Sequence, residues 1–299
     1  MICEDCWRSH KLNFSASSLL WDPGVGLLKL YDIINEMKPT TFDLTGTVAL
    51  VTGGNSGIGR GLCYGLAHAG ADIFIASRDY EKSLLVCAEI TRVTGRKAKC
   101  VKADVSVRED VALIVAECHR VYGRIDILIP NSGISKSHSK NLHPKEDWDQ
   151  VLNINLSSVY WLCQDAYPLL KASGRGKIIT IGSEYSLHGS MRTIGYAASK
   201  HGIIGLTKSL AVSWARDGIQ VNSILPGWIM TPLAKRAIDD PVVGKAIREK
   251  TPNPRGYGVP EDLAGLAIFL ASRASNFVTG QSIAVDGGFS VSMAPHASL

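Results

Sequence analysis

Short apolar runs rich in β-branched residues alternate along this chain with longer stretches whose apolar residues recur every three or four positions. The first kind reads as strands: TVALVTG, ADIFIAS, AKCVKADV, RIDILIPN, GKIITIGS, IQVNSIL and QSIAVDG. The second kind reads as helices beginning near Gly57, Tyr80, Val107, Trp148, Tyr196 and Pro260. At the last of these, proline in the first turn is followed by Glu261 and Asp262, acids that suit the positive end of a helix dipole. Regular strand–helix alternation predicts a parallel sheet wound with helices on both faces. Runs such as DILI lack polar alternation, which requires burial on both sides of the sheet. The expectation is an α/β fold: a single doubly wound domain over 44–290 with a seven-stranded parallel sheet.

Two flanking segments, 1–43 and 291–299, fall outside that pattern. In the first, GVGLLKLYDIINEMK puts Leu27, Leu30, Tyr31, Ile34 and Met37 on one helical face, so the extension reads as part helical and part disordered. Its polar face mixes Asp32 and Glu36 with lysines, which suits packing on protein better than a membrane surface. It lacks a basic start and long apolar core, and Glu4 and Asp5 argue against an organelle transit peptide.

Composition narrows the rest. The 299 residues are 45% hydrophobic and 20% charged, as in a globular chain, and the longest apolar runs fall well short of the roughly 20 residues that cross a bilayer. A net charge of +5 with scattered Lys and Arg gives little support to nucleic-acid binding. Seven cysteines without a framework spacing point to a reducing compartment, here the cytoplasm. Cys3, Cys6 and His10 lack a fourth ligand at metal-site spacing, so no metal is expected.

The first strand-to-helix turn carries the clearest chemistry. In ALVTGGNSGIGRGL, a strand runs into Gly53, Gly57 and Gly59 and then into a helix. Glycines there allow a tight turn and close backbone approach to a pyrophosphate, while the helix N-terminus offers unpaired N–H groups to the anion. A second strand about 20 residues on completes the dinucleotide-binding arrangement. At the end of that strand, where an acid usually holds the ribose hydroxyls of NAD, stand Ser77 and Arg78. A guanidinium there suits a 2′-phosphate, so NADP(H) is preferred, with NAD(H) possible through Asp79.

In GYAASKHG, Tyr196 and Lys200 stand four apart on one predicted helix, about 5–6 Å between Cβ atoms. A lysine ammonium so placed favours the phenolate, bringing a phenol of ordinary pKa near 10 towards acid–base work. With this pair, the sequence resembles the short-chain dehydrogenase/reductase family over about Leu44 to Phe289. Its Thr-Gly-x3-Gly-x-Gly loop matches Thr52 to Gly59, taking in Asn55, Ser56 and Ile58. The family's adenine-side aspartate matches Asp104, beside Val105 in ADV. Its serine, thirteen residues before the tyrosine, matches Ser183, and its asparagine matches Asn155 in LNINLSSVY. Asn131 and Gly133 match the motif after the fourth strand, which here departs to PNSG, so Pro130 removes a backbone donor and a small local change is expected. Pro226, Gly227, Ile229 and Thr231 fall where the family shapes the nicotinamide end.

The resemblance implies a Rossmann-type domain, and an NAD(P)-dependent interconversion of secondary alcohol and ketone with Asn155, Ser183, Tyr196 and Lys200 as catalytic residues. It also implies a homotetramer, or a homodimer, through the helices near Trp148 and Tyr196 and the segment ASNFVTGQSIAVDGGF. Substrate contacts are expected from Ser183, Tyr196, Glu184, Tyr185 and His188, with Met191, Arg192, Ser135 to Ser139 and a mobile-looking stretch, Trp228 to Tyr257, around them. That mixture suits a small polyhydroxylated or acidic molecule, and the overall look is similar to sugar and sugar-acid dehydrogenases acting on gluconate or deoxygluconate. A 3-oxoacyl or secondary-metabolite ketoreductase is the alternative, and a non-catalytic NADP(H)-binding regulator is another. Epimerases and dehydratases of the family shorten the glycine motif and enoyl reductases widen the Tyr–Lys gap to six, and neither spacing occurs here.

Overall fold

The computed structural model describes residues 39–138 and 144–293. The chain divides into two compact units, Met1–Thr41 and Phe42–Leu299. The helix predicted around Leu27 to Met37, the Cys3, Cys6 and His10 group, and Ser139 lie outside the described residues.

In the second unit, seven strands form one sheet: β1 (Val48–Thr52), β2 (Asp72–Ser77), β3 (Ala98–Lys102), β4 (Ile127–Ile129), β5 (Lys177–Ile181), β6 (Gln220–Pro226) and β7 (Ser282–Val285). They lie in the order β3-β2-β1-β4-β5-β6-β7, and every pairing is parallel. All seven predicted strands and the doubly wound architecture are thus present. Alternate side chains of the central strands feed two separate cores, because successive Cβ atoms of a strand point to opposite faces. Ala49, Val51, Ile73 and Ile75 enter one core, and Val48, Leu50, Phe74 and Ala76 enter the other.

The helices divide accordingly. On the first face lie α1 (Gly57–His68) and α2 (Tyr80–Thr94), which bury Leu62, Leu66, Val86 and Ile90. On the second lie α3 (Arg108–Tyr122), which buries Val111, Ile114 and Cys118 at helical spacing, and then α4 (Lys145–Leu152). A π-helical turn, Asn153–Ser157, joins α4 to α5 (Ser158–Ala172), and α6 (Ile194–Trp214) completes that face. The Asp79 carboxylate caps α2 by accepting the Lys82 N–H at 3.0 Å, and Gly95 ends it in the left-handed conformation at φ 70.

Two features differ from the sequence expectation. The mobile-looking stretch Trp228 to Tyr257, where the sequence predicts no helix, holds α7 (Lys235–Asp239) and α8 (Val243–Lys250). The helix expected from Pro260 begins as a 3-10 turn, Pro260–Leu263, before α9 (Ala264–Ala271). Close backbone approach explains the glycines of α1: a Cβ at Gly61 would stand 2.7 Å from the Pro260 carbonyl carbon, and one at Gly65 2.5 Å from the Ala264 Cβ. Among the described residues no helix is long and apolar enough to cross a membrane.

Candidate active site

The sheet order reverses between β1 and β4, whose chains leave for different helix layers and open a cleft of about 1470 Å³ at their C-terminal ends. The turn after β1 is drawn against the end of β4. Thr52 Oγ1 accepts the N–H groups of both Asn131 (3.0 Å) and Ser132 (3.1 Å), and Asn131 Nδ2 donates to the Thr52 carbonyl (2.9 Å). Pro130, which lacks an N–H, is followed directly by two residues whose N–H groups tie the loop. A Cβ at Gly59 would sit 2.4 Å from the Gly53 carbonyl oxygen and 2.5 Å from Asn131 Nδ2, so only glycine fits. Ser56 stands at the N-cap of α1 without a side-chain cap bond, which leaves first-turn amides for an anion. Gly53, Asn55, Ser56, Gly57 and Ile58 line this end of the cleft, while Thr52 and Gly59 act from behind its wall.

At the end of β2, Ser77 is held in a small polar knot. Asn55 Nδ2 donates to Ser77 Oγ (2.8 Å), Ser83 Oγ (3.1 Å) and the Asp79 carbonyl (3.1 Å), and Ser77 and Ser83 share a 2.7 Å bond. Asp79 lines the cleft, but its carboxylate is already engaged as the cap of α2. Arg78 reaches along the cleft with 73% of its side chain exposed, its guanidinium 4.0 Å from Asp104. Asp104 in turn accepts both the N–H and the hydroxyl of Ser106, which fixes the bend that brings Val105 to the wall. A backbone cradle, an uncapped helix N-terminus and an exposed guanidinium beyond the second strand fit a dinucleotide carrying a 2′-phosphate.

The other end of the cleft gathers Ser183, Glu184, Tyr185, Tyr196 and Lys200. Ser183 follows β5 and caps a 3-10 turn, Glu184–Ser186, its Oγ accepting the Tyr185 N–H at 3.2 Å. The hydroxyl of Ser186, which the sequence offered no reason to single out, accepts the Ser183 N–H (3.1 Å) and donates to the Lys200 carbonyl (2.8 Å), so it couples the serine loop to α6. Tyr196 and Tyr185 pack edge to face, their centroids 6.0 Å apart. The buried Lys200 ammonium lies 5.6 Å from the Tyr196 ring centroid and donates to the Ile181 carbonyl at 2.7 Å.

Asn155 sits inside the π-helical turn, where the wider coil turns its side chain inward. Its Oδ1 accepts the Ile134 N–H (2.9 Å), and its Nδ2 donates to the Ile134 carbonyl (2.9 Å) and to Ser199 Oγ (3.1 Å). Gly133 lines the cleft where a Cβ would come 3.3 Å from Asn155 Oδ1. Pro226, Gly227, Ile229 and Thr231 contribute to the wall after β6, with Thr231 3.3 Å from where a Gly57 Cβ would stand. His188 lies off the wall, its buried Nε2 without a partner.

Burial governs the proton chemistry of this end. It pushes Tyr196 up to about 12, with Glu184 and Tyr185 adding and the Ser183 hydroxyl opposing. It pushes Lys200 down to about 8. Burial thus shifts the phenol in the direction opposite to that expected from the neighbouring lysine. Glu184, 5% exposed and with Oε2 unpartnered, is pushed up to about 8 by burial, Asp286 adding and Lys250 opposing.

That last shift has a measurable consequence. Unfolding returns Glu184 to its ordinary value of 4.5, so between there and about 8 the folded state binds more protons and loses stability as pH rises. Glu184→Gln removes that loss, and its melting temperature should gain on the parent progressively from about pH 5 to about pH 8. A difference that does not vary with pH would show that the carboxylate is solvated in the folded chain.

Comparison with known proteins agrees with this geometry. Residues 53–290 match the family described as enoyl-(acyl carrier protein) reductase. The chain is 42% identical over 248 residues to the 2-dehydro-3-deoxy-D-gluconate 5-dehydrogenase of Bacillus subtilis (strain 168), covering 83% of this chain and 96% of that protein. It is 38% identical over 250 residues to the protein of the same name from Dickeya dadantii (strain 3937), covering 83% and 97%. Among solved structures, a gluconate 5-dehydrogenase from Burkholderia cenocepacia J2315 in complex with NADP and tartrate superposes with a TM-score of 0.80 at 37% identity, covering 84% of this chain and 98% of that one. A parallel sheet with its cleft at the β1/β4 reversal, a glycine turn opening α1, and Ser183, Tyr196 and Lys200 converging on that cleft, joined to matches of this extent, place the chain in the short-chain dehydrogenase/reductase family of oxidoreductases.

Proposed function

We propose that this chain is an NADP(H)-dependent oxidoreductase that interconverts a ketone and a secondary alcohol on a sugar acid of the gluconate or deoxygluconate type. The observation that carries the reading is the convergence of the Ser183 hydroxyl, the Tyr196 phenol and the Lys200 ammonium at the end of a cleft whose other end suits a dinucleotide phosphate. The names of the Bacillus and Burkholderia relatives support the substrate class.

When bound, the nicotinamide supplies the two-electron donor or acceptor. The chain's own residues handle the oxygen and its proton. Ser183 Oγ donates to the substrate oxygen and orients it against Tyr196. A phenol pushed up to about 12 is protonated at neutral pH, so in the reductive direction Tyr196 gives its proton to the developing alkoxide. Lys200, anchored on the Ile181 carbonyl, would hold a ribose hydroxyl with its remaining donors and favours the phenolate left behind. Asn155 fixes the Gly133–Ile134 segment, and the spare lone pair of its Oδ1 holds a water that returns a proton from solvent. Arg78, exposed beyond β2, would hold the 2′-phosphate, and the uncapped α1 N-terminus would hold the pyrophosphate.

A second reading, a 3-oxoacyl or secondary-metabolite ketoreductase, draws on Met191 and Leu233, apolar side chains 82% and 55% exposed at the cleft. Assay of the chain with keto-gluconates, neutral ketoses and oxoacyl thioesters under both reduced cofactors separates the two. The protein is proposed to act in the cytoplasm as a homotetramer or homodimer. Phe277 and Val212, 103% and 82% exposed, lie in the segments that the resemblance assigns to subunit contacts.

Three outcomes test these assignments. Tyr196→Phe should retain NADP(H) binding by fluorescence titration and lose about 10²–10⁴-fold in kcat; turnover within a few-fold of the parent would remove the phenol from the proton step. Arg78→Ala should lower the NADP(H)-to-NAD(H) ratio of kcat/KM about tenfold, the lower end for a charge-assisted bond because the side chain is 73% exposed. An unchanged ratio would mean that Arg78 faces solvent. The mass in solution at micromolar concentration should be a multiple of 32.2 kDa, and a monomer would contradict the assembly.

A further inference from the structure

We infer that Glu184 and Trp228 are the part of the substrate site that reads hydroxyl groups, the Glu184 carboxyl and the Trp228 indole N–H taking the hydroxyls that flank the reacting carbonyl, so that the chain selects polyhydroxylated ketones over bare ones. This selection deepens the sugar-acid reading and rests on it.

The two side chains come from the ends of neighbouring strands. β5 and β6 pair in parallel with Ile181 beside Ile224, and the Gly182 N–H donates to the Ile224 carbonyl at 2.8 Å. Glu184 follows the end of β5, directly after Ser183, and Trp228 follows the end of β6. Both backbones are fixed. The Glu184 carbonyl accepts the Leu187 N–H at 2.9 Å, closing the 3-10 turn that Ser183 caps. The Trp228 carbonyl accepts the Gly258 N–H at 2.9 Å, and a Cβ on the preceding Gly227 would stand 2.5 Å from the Asp286 Cβ, so the chain there has no room to shift. Both residues line the cleft that also holds Ser183 and Tyr196.

Each carries a polar atom left idle by the protein's own groups. Glu184 is 5% exposed, and its Oε2 is buried without a hydrogen-bond partner; Trp228 Nε1 is likewise buried and unpartnered. The charged groups nearest Glu184 are engaged elsewhere. Asp286 accepts the N–H groups of Gly288 (2.9 Å) and Ser290 (2.8 Å), and the Lys250 ammonium lies 4.2 Å from the Phe289 ring centroid. A buried polar atom without a partner is costly, so two of them in the lining of a substrate cleft point to partners that the ligand brings. A hydroxyl answers both, because it donates to a carboxyl oxygen and accepts from an indole N–H, whereas an anion such as phosphate only accepts and an ammonium only donates. Burial keeps Glu184 protonated up to about 8, so it does not repel an acidic substrate. With the Ser183 hydroxyl next to it in the chain orienting the reacting oxygen, the hydroxyls within reach are those on the carbons adjoining the carbonyl.

The test compares the parent with Glu184→Leu, Glu184→Gln and Trp228→Phe, using 5-ketogluconate and 5-oxohexanoate with saturating NADPH. The two keto acids share chain length, charge and carbonyl position and differ in their hydroxyls. Glu184→Leu and Trp228→Phe should each lower the ratio of kcat/KM for 5-ketogluconate over 5-oxohexanoate about tenfold, through KM. Glu184→Leu should also raise kcat/KM for 5-oxohexanoate itself, because the bare chain no longer covers an unpaired carboxyl. Glu184→Gln, which keeps a donor and an acceptor, should lose less of the ratio than Glu184→Leu. Equal losses on both substrates would make the two side chains structural, and an unchanged ratio would mean that water serves their idle atoms; either result overturns the recognition and leaves the oxidoreductase reading intact. If the parent leaves 5-ketogluconate unreduced, the sugar-acid reading fails by itself. Where either keto acid is not reduced, calorimetric titration of the NADP-loaded chain with D-gluconate and hexanoate decides the recognition. Gluconate must then bind the parent more tightly than hexanoate and lose that advantage in Glu184→Leu, and no binding, or an advantage that survives the change, overturns it.

Discussion

Two neighbouring parallel strands, β1 and β4, end side by side and send their chains into different helix layers, and the cleft exists because nothing covered by either layer can fill that gap. The gap is kept narrow by a single hydroxyl. Thr52 Oγ1 accepts two successive N–H groups from the chain after β4, so the residue that opens the glycine turn is tied to the Asn131–Gly133 segment. The backbone amides that would meet a pyrophosphate are thus held in place by side chains, Thr52 Oγ1 and Asn131 Nδ2. Pro130, immediately beside the turn, precedes the two donors that make this tie, those of Asn131 and Ser132.

At the far end of the cleft the governing term is desolvation. A phenol, an ammonium and a carboxyl are brought together where each is disfavoured in its charged form, so Tyr196 and Glu184 hold their protons more firmly than usual and the Lys200 ammonium holds its own less firmly. The lysine's value lies in where it is anchored. Bonded to the last residue of β5, it stands at a fixed height beneath the tyrosine, and Ser186 locks the serine loop to that same turn of α6.

The cleft has one rigid end and one built from loops. Its phosphate end belongs to strand termini and α1. Its mouth is formed by the loop ahead of α6 and by α7 and α8, which reach the core through Thr231, Ile238 and Ile247. Thr231 is where the two ends meet, since it packs on Gly57 and also starts α7. Changes of substrate can therefore be written into the mouth without disturbing the cofactor end, a division that suits a fold whose relatives act on different small molecules.

Periodicity and spacing by themselves determined the seven strands, the two-sided winding, the glycine turn and the Tyr196–Lys200 pair, because each is a local pattern imposed by strand pleat, helix pitch or steric exclusion at a turn. Even the split into two cores is written in the alternation of Val48, Ala49, Leu50 and Val51. What the tertiary structure alone decided depends on groups far apart in sequence. The π-helical turn that aims Asn155 at Ile134 has no signature in LNINLSS. The knot of Asn55, Ser77 and Ser83 closes over more than twenty residues. Helices α7 and α8 are too short for their periodicity to stand out. The direction in which Tyr196 shifts was unreadable from the sequence for a plainer reason: helical spacing reports that a cation is near, whereas desolvation is a sum over every group that packs around the phenol, and only the folded chain performs that sum.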